Sequence, residues 1–159
     1  MSTKQNNIQI AIVASNFNKD IVDRLYNGAI STLEKSGIGE RDIEVIRVPG
    51  AFEIPVAVKL LLNKKQYDVI ITLGVIIKGE TPHFEYIASA VANGVMRSSQ
   101  LTNIPMTFGI LTTNSIEEAL ARTGPEESNK GWEAANAAID LIETIRQINL
   151  IDNGVSNKR

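Results

Sequence analysis

The chain has no cysteine and a single histidine, His83. Without a thiol there is neither a disulfide nor a thiol nucleophile, and one imidazole without thiolate partners cannot build a structural zinc site. Aromatic residues are scarce, 5% of the chain, with four phenylalanines and one tryptophan. No apolar run approaches the ~20 residues of a membrane-spanning helix, so no membrane partner is expected. Neither sign of charge predominates, with 16 Lys and Arg against 18 Asp and Glu. A net charge of −2 leaves no broad basic surface, so nucleic acid is not an expected partner.

Several chemistries fail on named residues. No Gly-x-Ser-x-Gly serves the single histidine, which removes the acyl-enzyme hydrolases. Gly74 to Gly79 has the glycine spacing of a Walker A loop, but Glu80-Thr81 follow where Lys and Ser or Thr are needed. The stretch Ala14-Ser15-Asn16-Phe17-Asn18 contains no glycine, so a dinucleotide fingerprint is absent as well.

What is present fits one domain over residues 1–159, with 43% of residues apolar. Short runs rich in Ile and Val alternate with segments of helical period, the pattern of a parallel α/β sheet covered by helices on both faces. Four strands are predicted, at Ile8 to Ala14, Ile43 to Val48, Asp68 to Val75 and Met106 to Leu111, each apolar on both faces. Helices are predicted from Lys19 to Lys35, from near Pro55, from Thr81-Pro82 to about Leu101, from Ser115 to Ala121, and from Asn129 to about Ile148. Residues 1–7 read as a polar arm lacking the apolar core of a signal peptide, and 152–159 as a flexible tail. A cytoplasmic protein is expected.

In such sheets ligands bind beyond the carboxyl ends of the strands. Here those ends carry Ser15-Asn16-Phe17-Asn18, Pro49-Gly50-Ala51-Phe52-Glu53, Gly74 to His83, and Thr112-Thr113-Asn114, and all four are expected at one edge. Cap and turn chemistry alone also enriches such loops in Gly, Asn and Thr. Phe17 and Phe52 are less easily explained, because a domain gains little from large apolar side chains in loops unless something packs on them. At Thr81-Pro82 a preferred cap type precedes a proline suited to the first turn, and the free N–H groups of a helix start can hold an anion. His83 beside that start suits proton transfer near neutral pH.

Four segments together resemble the lumazine synthase family: Val48-Pro49-Gly50-Ala51-Phe52-Glu53-Ile54-Pro55, Leu73-Gly74-Val75-Ile76-Ile77-Lys78-Gly79-Glu80-Thr81-Pro82-His83-Phe84, Phe108-Gly109-Ile110-Leu111-Thr112-Thr113 and Asn129-Lys130-Gly131. Their order and spacing match from about Ile8 to Ile148, so the set is far more specific than any one segment. The resemblance implies a flavodoxin-like, three-layer αβα sandwich. It also implies condensation of 5-amino-6-(D-ribitylamino)uracil with 3,4-dihydroxy-2-butanone 4-phosphate, with no metal or cofactor, at sites between adjacent subunits of a pentamer. His83 would move protons. Phe17 would stack on the pyrimidinedione, the alternative being a loop ring folded back on the core. Ala51, Phe52 and Glu53 would hold the ribityl chain, although Glu53 also reads as a helix-start charge. Val75, Ile76 and Ile77 would frame the heterocycle, with Phe108 and Lys130 contacting it; a core strand residue and a surface lysine are their plain readings. Glu80 and Thr81 would offer backbone N–H groups to the phosphate, clamped by Arg122, otherwise a solvated arginine at a helix end.

Two departures stand against this pattern. Gly124-Pro125-Glu126-Glu127-Ser128 has acids and a proline where members that build sixty-subunit shells often have glycines, and Asn16 stands where an arginine is frequent. A non-catalytic flavin- or lumazine-binding or shell-forming protein of the same fold is the rival reading. An acid/base beside an anion pocket argues against mere storage.

Overall fold

The computed structural model describes residues 7–155. The elements follow in the order β1 (Ile10–Ser15), α1 (Lys19–Lys35), β2 (Ile43–Val48), α2 (Ile54–Leu62), β3 (Val69–Ile77), α3 (His83–Thr102), β4 (Met106–Thr113), α4 (Ile116–Ala121) and α5 (Lys130–Val155). All strand pairs are parallel, in the order β2-β1-β3-β4. The last helix passes the expected end near Ile148. The polar arm expected at 1–7 lies, apart from Asn7, outside the described residues, as does the end of the expected tail beyond Val155, whose start falls within α5.

Alternation along the central strands builds two cores. Ile10, Ile12 and Ala14 of β1 and Val69, Ile71 and Leu73 of β3 face α1 and α5, meeting Val22, Leu25, Ala29 and Leu33 of the one and Ala134, Ala135, Ala138 and Ile142 of the other. Ala11, Val13, Ile70 and Ile76 point the other way, onto Ile54 and Val58 of α2 and Val91 and Val95 of α3. The result is the three-layer αβα sandwich. Each fully buried Ile or Leu contributes about 1.5–3 kcal/mol of transfer free energy, so the inner strands carry much of the stability.

The outer strand departs from expectation. Glu44 and Val45 of β2 are exposed, because an edge strand has a neighbour on one side only and its helices cover it incompletely. Helix α1 ends where the sequence places it: Gly37, at φ 83, turns the chain so that Ile38 N–H reaches Leu33 O at 3.0 Å, a glycine-dependent stop. Among the described residues no helix is long and apolar enough to cross a membrane.

From β1 the chain moves outward to β2 and then crosses back to β3 on the other side. The crevice at the carboxyl ends of β1 and β3 is therefore the reversal point where open α/β sheets bind ligands.

Candidate active site

A cleft of about 380 Å³ opens at that point. Its walls come from three of the four strand-end loops: Phe17 after β1, Gly50 to Glu53 after β2, and the end of β3 with the first turns of α3. The fourth loop is not part of it. Thr113 is instead spent internally, its carbonyl accepting from Lys78 N–H at 2.9 Å and its hydroxyl donating to Ser115 O at 2.9 Å, while the Ser115 hydroxyl caps α4. Ser15 also turns inward, buried as the last residue of β1.

Phe17 and Phe52 stand over the cleft with 66% and 58% of their surface exposed. The Phe17 ring has not folded back on the core, although its backbone is fixed by Phe17 N–H to Pro49 O at 2.9 Å. Two exposed rings at the mouth of an apolar cleft make a stacking platform for a flat heterocycle. Val75, Ile76 and Ile77 form the floor and Ala51 part of the wall. Glu53 lines the cleft too, with Oε2 turned back to accept from Gly50 N–H at 3.0 Å. That bond closes the turn into α2 and leaves Oε1 free of protein donors among the described residues.

Thr81 and His83 sit at the rim. The cap geometry differs from expectation by one position: α3 begins at His83, Pro82 occupies the cap, and no side chain caps it. Pro82 already has near-helical φ −68, which moves the start one residue past the threonine. Among the described residues neither the Glu80 nor the Thr81 N–H meets a backbone acceptor, so both remain open to an anion. Phe84 and Ile87 also line the cleft. Ile87 went unread in the sequence, although its spacing of four from His83 puts both on one helix face.

Phe108, Arg122 and Lys130 are elsewhere. Phe108 lies on β4, partly buried against the α2 and α3 core. Arg122 follows α4 and Lys130 opens α5, and both reach the Glu133 carboxylate, at 3.4 Å and 2.6 Å. Glu133 is a second residue that the sequence reading passed over; its i,i+3 spacing from Lys130 is the available signal. Two cations held side by side by one acid, at the surface, can receive an anion that the cleft's open amides also attract. Neither Arg122 nor Lys130 lines the cleft within one chain.

The family model described as 6,7-dimethyl-8-ribityllumazine synthase matches residues 7–146. A 6,7-dimethyl-8-ribityllumazine synthase from Syntrophus aciditrophicus is 44% identical over 141 residues, covering 89% of this chain and 92% of its own length. Among solved structures, a GDP-L-fucose synthetase from Naegleria fowleri overlaps 92% of this chain and 50% of its own at 12% identity, with a TM-score of 0.41.

Proposed function

The chain belongs to the 6,7-dimethyl-8-ribityllumazine synthase family, and we propose that the cleft between β1 and β3 is one half of its active site, the Arg122–Lys130 surface of a neighbouring copy being the other. The enzyme condenses 5-amino-6-(D-ribitylamino)uracil with 3,4-dihydroxy-2-butanone 4-phosphate to 6,7-dimethyl-8-ribityllumazine, the penultimate step of riboflavin biosynthesis. One observation carries the proposal: exposed aromatic rings, unclaimed amides in the turn before α3 and the only imidazole of the chain converge on a single cleft.

In this reading the pyrimidinedione stacks on Phe17, with Val75 to Ile77 beneath it and Phe52 and Ala51 along the ribityl chain. Glu53 Oε1 accepts from ribityl hydroxyls. The phosphate sits at the Glu80 and Thr81 N–H groups, which places the butanone carbonyl near His83. The substrate amine attacks that carbonyl, water leaves to form an imine, phosphate departs by elimination, and the second nitrogen adds to the remaining carbonyl and closes the ring with loss of a second water. Each step relocates a proton, and His83 exchanges it. Arg122, Lys130 and Phe108 come from the adjacent subunit of a ring of five, a reading supported by their absence from the cleft within one chain. A phosphate ester crosses no apolar layer unaided, which supports a cytoplasmic place of action.

Mixing the two substrates and following lumazine absorbance measures the activity, and the same assay on Phe17→Ala tests the cleft. Loss of a stacking ring is expected to raise KM for the uracil roughly tenfold. An unchanged KM would move the heterocycle away from Phe17.

A further inference from the structure

Asn129 is 5% exposed, and every polar group of its side chain is used. Its Oδ1 accepts from Gly131 N–H at 2.8 Å and Trp132 N–H at 3.1 Å, which caps α5. Its Nδ2 donates to Arg24 O of α1 at 3.1 Å. A cap needs only the first two bonds, so the third has another purpose. Around it the two helices approach without room for a side chain: a Cβ on Gly28 would lie 2.6 Å from Asn129 Cγ, and one on Gly131 would lie 2.6 Å from the Leu25 carbonyl carbon. The start of α5 is thus locked into a notch on α1.

Arg122 is tied to that lock. Lys130 N–H donates to Arg122 O at 2.9 Å, and Thr123 pairs with Asn129 in an antiparallel bridge, so the loop from 122 to 130 is closed at its base. Helix α4 closes locally, with Arg122 N–H on Ala119 O and Thr123 N–H on Leu120 O, both at 3.0 Å, but its six residues are marginal alone and gain their direction from what they are tied to. We propose that Asn129 is a positioning residue for the phosphate-bearing substrate: through its bond to Arg24 O it sets the place from which Arg122 reaches the anion. The inference rests on the reading of Arg122 given above, and goes beyond it by assigning that position to the α1 notch.

Asn129→Asp separates this role from simple capping, since aspartate caps a helix as well as asparagine does but cannot donate to Arg24 O. The expected result is a KM for the butanone phosphate about tenfold higher with helix content close to that of the parent, and a lowered urea midpoint because a buried carboxylate oxygen then faces Arg24 O. In an Arg122→Ala background the same substitution should add nothing further. Gly28→Ala is the second variant, pushing Asn129 out of place from the α1 side while raising intrinsic helix propensity; it should reproduce the KM effect, and it decides the matter if Asn129→Asp does not fold. An unaltered KM in the folded variant, or an equal further rise on top of Arg122→Ala, overturns the proposal. If Arg122→Ala itself leaves that KM unchanged, the reading of Arg122 fails and takes this one with it. If Arg122→Ala raises it and neither other variant does, only the role of Asn129 is lost.

Discussion

A phenylalanine left 66% exposed beside a strand end is a cost in water that a bound ring can offset, and Phe17 has that setting. His83 differs in kind, because the role proposed for it lowers the barrier rather than adding affinity. A positioned acid/base contributes about 10² to 10⁴ in rate, yet both substrates are reactive and holding them together supplies part of the acceleration. His83→Ala is therefore expected to lower kcat about a hundredfold while leaving measurable turnover, by lumazine absorbance. Unchanged kcat would remove the imidazole from the mechanism. Asp23 offers a test far from the cleft. Lys19 and then Arg47 hydrogen-bond its carboxylate and hold it below its ordinary 3.8, against the opposing effect of partial burial. Because the folded chain favours the ionised form, this contribution is complete above pH 3.8 and is lost as pH falls through the lower folded value. Asp23→Asn should thus cost no more than about 1 kcal/mol at neutral pH. The gap between the two urea midpoints should close in acid; a gap that persists would show that packing, not charge, is responsible.

At the level of elements, strand and helix identities were legible because period and composition agreed. β2 and α1 occupy the residues predicted for them. The misreadings are those that one chain segment cannot reveal. The exposure of Glu44 and Val45 follows from the position of β2 at the sheet edge, which its apolar residues do not encode. Thr112 to Asn114 look like the other strand-end loops, but β4 lies away from the reversal point between β1 and β3, so they never reach the cleft. Of the candidate site, the cleft residues were readable as turn-rich strand ends, and Arg122, Lys130 and Phe108 only through the family's motifs. Glu133 is signalled only by its i,i+3 spacing from Lys130, and the bond from Asn129 to Arg24 O joins distant segments, which spacing does not display. The α1–α5 contact is the tightest helix joint at this level, and Gly131 is its limit. Gly131→Ala should destabilise the chain by about 1–3 kcal/mol by overpacking, read as a lower urea midpoint. A midpoint equal to that of the parent would mean the helices can separate freely.

For the whole molecule, the absence of Arg122 and Lys130 from the cleft is the observation that the proposed assembly has to answer. Arg122 and Lys130 do not line the cleft that holds His83, so under the proposed reading they act on the same substrate pair only from a second copy of the chain. The proposed ring would bring them together, since a head-to-tail ring repeats the same pairing of unlike surfaces at every interface. Joint refolding of His83→Ala and Arg122→Ala chains tests it most directly, because each variant damages a different half. If sites are shared, roughly a quarter of interfaces in a random one-to-one mixture regain both intact residues around a symmetric ring, and lumazine formation rises well above the mean of the two variants assayed apart. Activity that stays at that mean would place His83 and Arg122 in the same subunit's site and contradict the account.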